Sequence, residues 1–309
     1  MVGFIATTDF DWYSYLRDQR DLDEVNFWQP SGGRGFHAIA PGAPFFFKLK
    51  SPHYAIGGFG YFARNSVLPD WLAWDSFGRA NGAPDLQAMR ERIRKYRRRF
   101  GGELGDGFHI GCLMISQPVF FEERDWIPQP RDWAANIVSG ATYNLDSGEG
   151  QRVWLECLAR AATRQSAEIR MVAEERARYG EPVLVQPRLG QGTFRIAVTD
   201  AYRRACAVSG EHSLPVLDVA HIKPYGEGGE HEISNGLLLR TDIHRLFDRG
   251  YVTVTPDYRF EVSRLLREEY ENGRTYYALQ GQRIALPRLP DDQPSTLALR
   301  WHNNQVFKT

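Results

Sequence analysis

Residues 217–248 read LDVAHIKPYGEGGEHEISNGLLLRTDIHRLFD, and this stretch decides how the C-terminal part of the chain is built. Val216 to Ile222 is apolar enough for a buried strand, with His221 near its end. The stretch PYGEGG, 224–229, holds one Pro and three Gly and must be a loop. Leu237, Leu238 and Leu239 return the chain to a core. Thr241 or Asp242 is expected to cap the helix that follows, since either side chain accepts from an exposed N–H. On that helix His244 and Asp248 stand at i and i+4 and share one face. Strand, loop, strand and helix in this order let one strand-borne imidazole face a helix-borne ligand pair across a divalent ion.

The arrangement resembles the HNH (ββα-metal) endonucleases, through His221, Asn235 and His244, with Asp248 one turn later. The resemblance implies His221 as the general base that takes a proton from the attacking water, a task suited to a group titrating near neutrality. It implies His244 and Asp248 as ligands of one metal ion, Mg²⁺ or Mn²⁺, which suits a His-plus-carboxylate site with open positions. It gives Asn235 the task of bracing the loop and orienting the base. One position departs from the family. Many members carry a His or Asp ligand immediately before the base, and here that residue is Ala220. Asp218 lies two residues earlier on the same strand face, so either it or water supplies the missing ligand. The family's frequent Cys pairs are also absent, and Cys206 stands alone. Taken singly, a His on an apolar strand more often fills a core. His231 in the loop reads as a solvated residue rather than a ligand. Arg240 and Arg245 flank the helix and suit phosphate or a solvated surface equally well.

The 309 residues suffice for two ordinary domains, and 42% hydrophobic content allows sizeable cores. The 38 basic and 38 acidic residues cancel, so mean charge argues neither for nor against a polyanionic partner. Three Cys, at 112, 157 and 206, form no CxxC pair, which argues against a disulfide framework or zinc knuckle and fits a reducing compartment. The opening MVGFIATTDFDWYSY lacks the basic and apolar regions of a secretory signal. No stretch approaches the ~18 uninterrupted apolar residues of a membrane span. A cytoplasmic, soluble protein with no membrane partner is expected.

Residues 25–145 show short aromatic runs broken by Gly and Pro, such as FHAIA, FFFKLK and YAIGGFGYFA. This is strand-and-turn grammar. A charged helix from Asp85 to Phe100 and two strand-like runs, HIGCLMIS and PVFFEE, follow. Residues 150–179 place Val153, Leu155, Leu158, Ala162, Ile169 and Val172 at helical spacing, and Gly180 and Pro182 stop that helix. Beyond it come a helix from Phe194 to Arg204, the stretch quoted above, a strand YVTVTPD, and a Pro-rich tail from Pro287 expected to lie extended over the surface.

The phrases NFWQPS, PGAPFFFKLKSP, IGGFGYFA and WDSFGRANGA, taken in order, resemble the PUA-superfamily modules of the EVE and SRA kind. They also resemble the segments that precede HNH modules in modification-dependent restriction endonucleases. The resemblance implies a pocket for a modified base turned out of the helix. Such a base needs aromatic faces and a few polar groups for its edge. Trp28, Trp71 and Trp74 offer faces, and Asn26, Asp75 and Asn81 offer edges, with Trp28 the leading candidate because it lies between polar Asn26 and Gln29. The alternative is that these residues fill a small core. The segment RERIRKYRRR, 90–99, has seven basic residues and one acidic. Arg94, Lys95, Arg97 and Arg98 are its candidate phosphate contacts, and they would make binding salt-dependent.

The expected fold class is α+β: a PUA/EVE-like curved sheet or small barrel with helices over 1–147, a helical connector over 148–193, and an HNH domain over 194–309. The expected activity is modification-dependent cleavage of double-stranded DNA carrying modified cytosine. The alternatives are an HNH nuclease without modification specificity, or a nucleic-acid-binding protein with a degenerate module. Cutting both strands with one site per chain points to a homodimer, with the helix from Gln151 to Tyr179 as its contact.

Overall fold

The computed structural model describes residues 1–19, 21–31, 35–99, 109–169 and 189–309. It is α+β and falls into two compact units, Met1–Pro187 and Arg188–Thr309. Among the described residues no helix is long and apolar enough to cross a membrane.

The first unit runs β1 (Val2–Thr8), α1 (Phe10–Arg17), β2 (Glu24–Gln29), β3 (Pro44–Leu49), β4 (Ala55–Pro69), α2 (Asp70–Phe77), α3 (Leu86–Arg99), β5 (His109–Phe120), β6 (Ile127–Pro128), β7 (Gly140–Asn144) and α4 (Gly148–Ile169). Its seven strands form one sheet in the order β2-β5-β4-β3-β1-β7, with β6 on β4. The two runs expected at HIGCLMIS and PVFFEE are one strand, β5, through most of their length. Alternation along β3 sends Phe45 and Phe47 to one face, where they meet Phe27, Trp12 and Phe120. Phe46 goes to the other face, against Phe59 and Trp154. All three rings are fully buried, each worth about 2–3 kcal/mol by transfer from water.

The helix set apart as a connector is a layer of this unit. Val153 and Cys157 of α4 join a core with Ile5, Phe46, Ile56 and Ile127. The narrow buried stripe leaves Leu155 and Leu158, expected on the apolar face, exposed. The rest of the expected connector, residues 170–188, lies outside the described residues, as does the end of the proposed dimer helix at Tyr179.

The second unit holds α5 (Gln191–Ala201), β8 (Leu217–His221), β9 (Gly236–Arg240), α6 (Thr241–Asp248), β10 (Val252–Val254), β11 (Phe260–Val262), α7 (Leu265–Tyr270), α8 (Arg274–Tyr277) and α9 (Thr296–Gln305). β8 and β9 pair antiparallel, with Ala220 opposite Leu237 and His221 opposite Gly236. Phe194, Val198, Leu237, Leu239, Ile243, Phe247, Val252, Phe260 and Leu299 share one core. Two expectations change here. No side chain caps α6; Asp242 instead accepts from Arg240 and Tyr276. The tail does not end extended: after Pro294 the Ser295 hydroxyl accepts from Ala298 N, starting α9, which buries Leu299 and His302.

Candidate active site

Five elements of the second unit converge on a cavity of about 640 Å³. β8 brings Asp218 and His221, α6 brings His244 and Asp248, α5 brings Phe194 and Arg195, the β8–β9 loop brings Tyr225 and His231, and α9 brings His302. The β8–β9 hairpin and α6 thus bring together the imidazole and the ligand pair read from the sequence.

Two glycines make this geometry possible. Gly229 closes the loop onto its own start, donating to the Pro224 carbonyl at 3.0 Å. A Cβ there would lie 1.9 Å from the Lys223 oxygen, so only Gly fits. Gly236 lets α5 approach β9, since a Cβ would meet Val198 Cγ2 at 2.4 Å. The same approach lays the Phe194 ring on His221, with centroids 4.3 Å apart and planes at 23°. Asn235 is 7% exposed and ties the loop's two ends. Its Oδ1 accepts from Lys223 N at 2.9 Å, and its Nδ2 donates to the carbonyls of Lys223 and Glu230 at 2.9 and 3.0 Å.

His244 sits between two carboxylates. Its Nδ1 is 3.1 Å from Asp218 Oδ2 and its Nε2 is 3.2 Å from Asp248 Oδ2. Burial alone would depress its pKa, but the hydrogen bonds and charges of Asp218 and Asp248 outweigh it and push the value up to about 9. Burial works against the Asp218 carboxylate too, yet His244, Arg195 and the Val219 N–H hold it below its usual range. His221 goes the other way. Burial, then the neighbouring His231 and His244, lower its pKa, so it is a neutral base near pH 7. Its Nε2 is enclosed and has no hydrogen-bond partner among the described residues.

Among the described residues no three His, Cys, Asp or Glu side chains converge as a metal cluster. The donor chemistry nevertheless fits a divalent ion. An imidazole and two carboxylates line one cavity, with His244 between Asp218 and Asp248. Ala220 contributes no ligand; it is fully buried in the core. Asp218 is the carboxylate on that strand, and it lines the cavity.

Sequence reading passed over Arg195 and set His231 aside. Arg195 lines the cavity from α5, with a guanidinium nitrogen 3.8 Å from Asp218 Oδ1. His231 is half-buried, and its Nδ1 donates to the Leu189 carbonyl at 3.0 Å. Its ring lies 5.2 Å from His221 and 5.0 Å from Tyr225. Arg240, a candidate phosphate contact, directs its guanidinium to both oxygens of Asp242, at 2.9 and 2.5 Å. Arg245 is exposed on α6.

In the first unit three of the six expected base-pocket residues, Trp28, Asn26 and Asn81, are buried in the interior. Asn26 and Asn81 are fully buried and bonded to each other, Nδ2 to Oδ1, at 2.8 Å. Asn81 also donates to the carbonyls of Ala73 and Gly78, and Trp28 Nε1 donates to the Asn81 carbonyl at 2.9 Å. These groups fasten β2 to the turn after α2, while Asn26 Oδ1 is buried without a hydrogen-bond partner among the described residues. Trp71 and Trp74 are half-buried on α2, and Asp75 is exposed. On α3, Arg97 is also structural: it donates to the carbonyls of Pro30 and His109 at 2.9 and 2.7 Å. Lys95 and Arg98 are exposed and Arg94 is half-buried.

Residues 206–255 match the family model of the HNH endonucleases. No curated protein matches the chain. Among solved structures the chain is similar to an ASCH protein from Zymomonas mobilis, at 15% identity over 49% of this chain and 92% of that one, with a TM-score of 0.33. It is similar to the modification-dependent TagI restriction endonuclease at 15% identity over 98% of this chain and 81% of that one, with a TM-score of 0.28. It is similar to the Type IV phosphorothioation-dependent restriction endonuclease ScoMcrA at 13% identity over 74% and 45%, with a TM-score of 0.21. TM-scores this low fix neither a shared fold nor a shared activity. The local result stands on the matched segment: residues 206–255 are an HNH endonuclease module, and they hold Asp218, His221, Asn235, His244 and Asp248.

Proposed function

We propose that the chain is a modification-dependent DNA endonuclease: the second unit hydrolyses the phosphodiester backbone, and the first recognises DNA carrying a modified cytosine. One observation carries the catalytic half. The His221 imidazole lines the same cavity as the Asp218–His244–Asp248 chain, and burial holds its pKa below the usual imidazole value.

His221 lines the cavity and takes the proton of the attacking water there, while its Nε2 is enclosed. Phe194 fixes the ring plane, and Asn235 holds the loop that walls the cavity. His244 and Asp248, with Asp218 beside them, would hold a divalent ion, Mg²⁺ or Mn²⁺, which would supply charge stabilisation for the phosphate and the leaving oxygen. Arg195 faces the same space and suits a phosphate oxygen.

The reader half is supported by the separate N-terminal sheet, its aromatic content and the exposed Lys95 and Arg98 of α3. Cutting both strands with one site per chain calls for two chains, and α4 offers Leu155 and Leu158, 56% and 39% exposed, as an apolar face.

The test is cleavage of matched duplexes with and without modified cytosine in Mg²⁺ and Mn²⁺. Wild-type protein is expected to cut the modified duplex selectively. His221→Ala is expected to lose about 10²–10⁴-fold in rate while binding DNA as before. Equal cutting of the two duplexes removes the reader half, and full activity in His221→Ala removes the assigned base.

A further inference from the structure

One imidazole on the cavity has no task in the reaction above. His231 comes from the loop between β8 and β9, is half-buried, and lines the cavity with His221. It is held in three ways. The Asn235 amide donates to the Glu230 carbonyl at 3.0 Å, which fixes the backbone just before it. The ring lies against Phe194 and Tyr225, with centroids 5.5 and 5.0 Å away. Its Nδ1 meets the Leu189 carbonyl at 3.0 Å.

That last contact sets the chemistry of the other ring nitrogen. A carbonyl oxygen only accepts, so Nδ1 carries the hydrogen. In the neutral ring Nε2 then holds a lone pair and is itself an acceptor. Such an acceptor has a use beside a general base. The attacking water has two O–H bonds and must aim a lone pair at phosphorus. His221 takes one proton. The other O–H needs an acceptor too, or the water is free to rotate out of line. The other polar groups of the cavity are poorly placed to serve. Asp218 and Asp248 engage His244, and both nitrogens of His302 are bonded, to Thr253 and to the Phe247 carbonyl. Arg195 only donates, and Gln191 and Tyr225 are exposed. The His231 ring centroid lies 5.2 Å from that of His221, with the planes at 47°. Hydrogen bonds of ~2.7–3.2 Å from one water to a nitrogen of each ring fit that spacing.

We propose that His231 is a second catalytic imidazole, accepting a hydrogen bond from the attacking water at Nε2 and orienting it while His221 removes the other proton. As the new O–P bond forms, the P–O bond to the leaving oxygen breaks. One proton passes to His221, and the second hydrogen stays on the oxygen that joins phosphorus. His231 has the same protons before and after. The assignment rests on the reading of the second unit as a nuclease.

The test has two arms, both on the full chain. The first reads the His231 ring by ¹⁵N NMR without metal or DNA. The neutral ring is expected to carry its hydrogen on Nδ1 and none on Nε2; the opposite tautomer overturns the assignment. The second compares single-turnover cleavage of the modified duplex, and binding to it in EDTA. His231→Leu is expected to cleave about tenfold more slowly or worse. His231→Gln, whose amide oxygen also accepts, is expected to recover most of that loss. Both should bind the duplex as wild type does. His231→Leu at the wild-type rate, or His231→Gln as slow as His231→Leu, overturns the assignment. If the variants do not melt cooperatively, the wild-type tautomer decides. Failure of the nuclease reading looks different: wild type then cuts no DNA with either metal, and His231 has no reaction to serve. Wild-type cleavage that His231→Leu leaves intact removes His231 alone.

Discussion

Asp218 Oδ2 and His244 Nδ1 lie 3.1 Å apart although 26 residues separate them in the chain. The contact joins β8 to α6 and brings Asp218 to the face proposed to hold the metal, whereas Ala220, next to His221, is sealed in the core. A carboxylate that orients or supplements a ligating imidazole typically changes metal affinity or activity about 10–100-fold. Asp218→Asn is therefore expected to weaken Mn²⁺ binding, read by calorimetry, and cleavage by about that factor, with DNA binding in EDTA unchanged. Unaltered Mn²⁺ affinity would limit Asp218 to a packing role.

Stability should depend on pH through His302. This side chain is 2% exposed. Its Nε2 donates to the Phe247 carbonyl at 3.1 Å, and its Nδ1 accepts from the Thr253 hydroxyl at 2.8 Å. Burial lowers its pKa to about 4, against 6.5 for the free group. The unfolded chain therefore takes up a proton first as pH falls. The His302 contribution is complete above pH 6.5 and is lost as pH falls from there toward 4, by up to about 3 kcal/mol. Melting temperature followed from pH 7.5 to 4.5 should drop, and His302→Gln should show a shallower decline from a lower start. Parallel curves would remove His302 as the cause.

The Asn26–Asn81 pair should behave as structure. Asn81→Ala removes three buried hydrogen bonds, at an expected cost of about 2–4 kcal/mol in denaturant unfolding. The ratio of cleavage rates on modified and unmodified DNA should stay at its wild-type value in the folded fraction. A changed ratio would return these residues to base recognition.

Helix α3 should divide into two kinds of basic residue. Lys95→Ala with Arg98→Ala is expected to reduce the slope of log affinity against log salt by about 2 and to leave the melting temperature alone. Arg97→Ala should lower the melting temperature and leave the slope alone, because its guanidinium holds the ends of β2 and β5. A salt slope that follows Arg97 instead would overturn the division.

The nuclease cluster was legible because it is local. A hairpin and the next helix place His221, Asn235, His244 and Asp248 within 28 residues, so spacing along the chain reports spacing in space. Arg195 was not, because it arrives on a helix before the hairpin and no period ties it to the others. Trp28, Asn26 and Asn81 misled for a different reason. A polar residue beside an aromatic in a strand looks the same whether it faces a ligand or a buried amide 55 residues away. Arg97 shows the same ambiguity in charge, since composition cannot tell which guanidinium binds backbone carbonyls.

The recognisable stretch, 206–255, is shorter than the body that must fold to support it. Phe194 and Val198 arrive before it, and Leu299 and His302 after it, and all four complete its interior. A cassette cut at the limits of the motif would lose the floor under its own base and the plug behind α6. Anyone grafting this cleavage engine onto another targeting module needs the chain from Leu189 onward, terminal helix included.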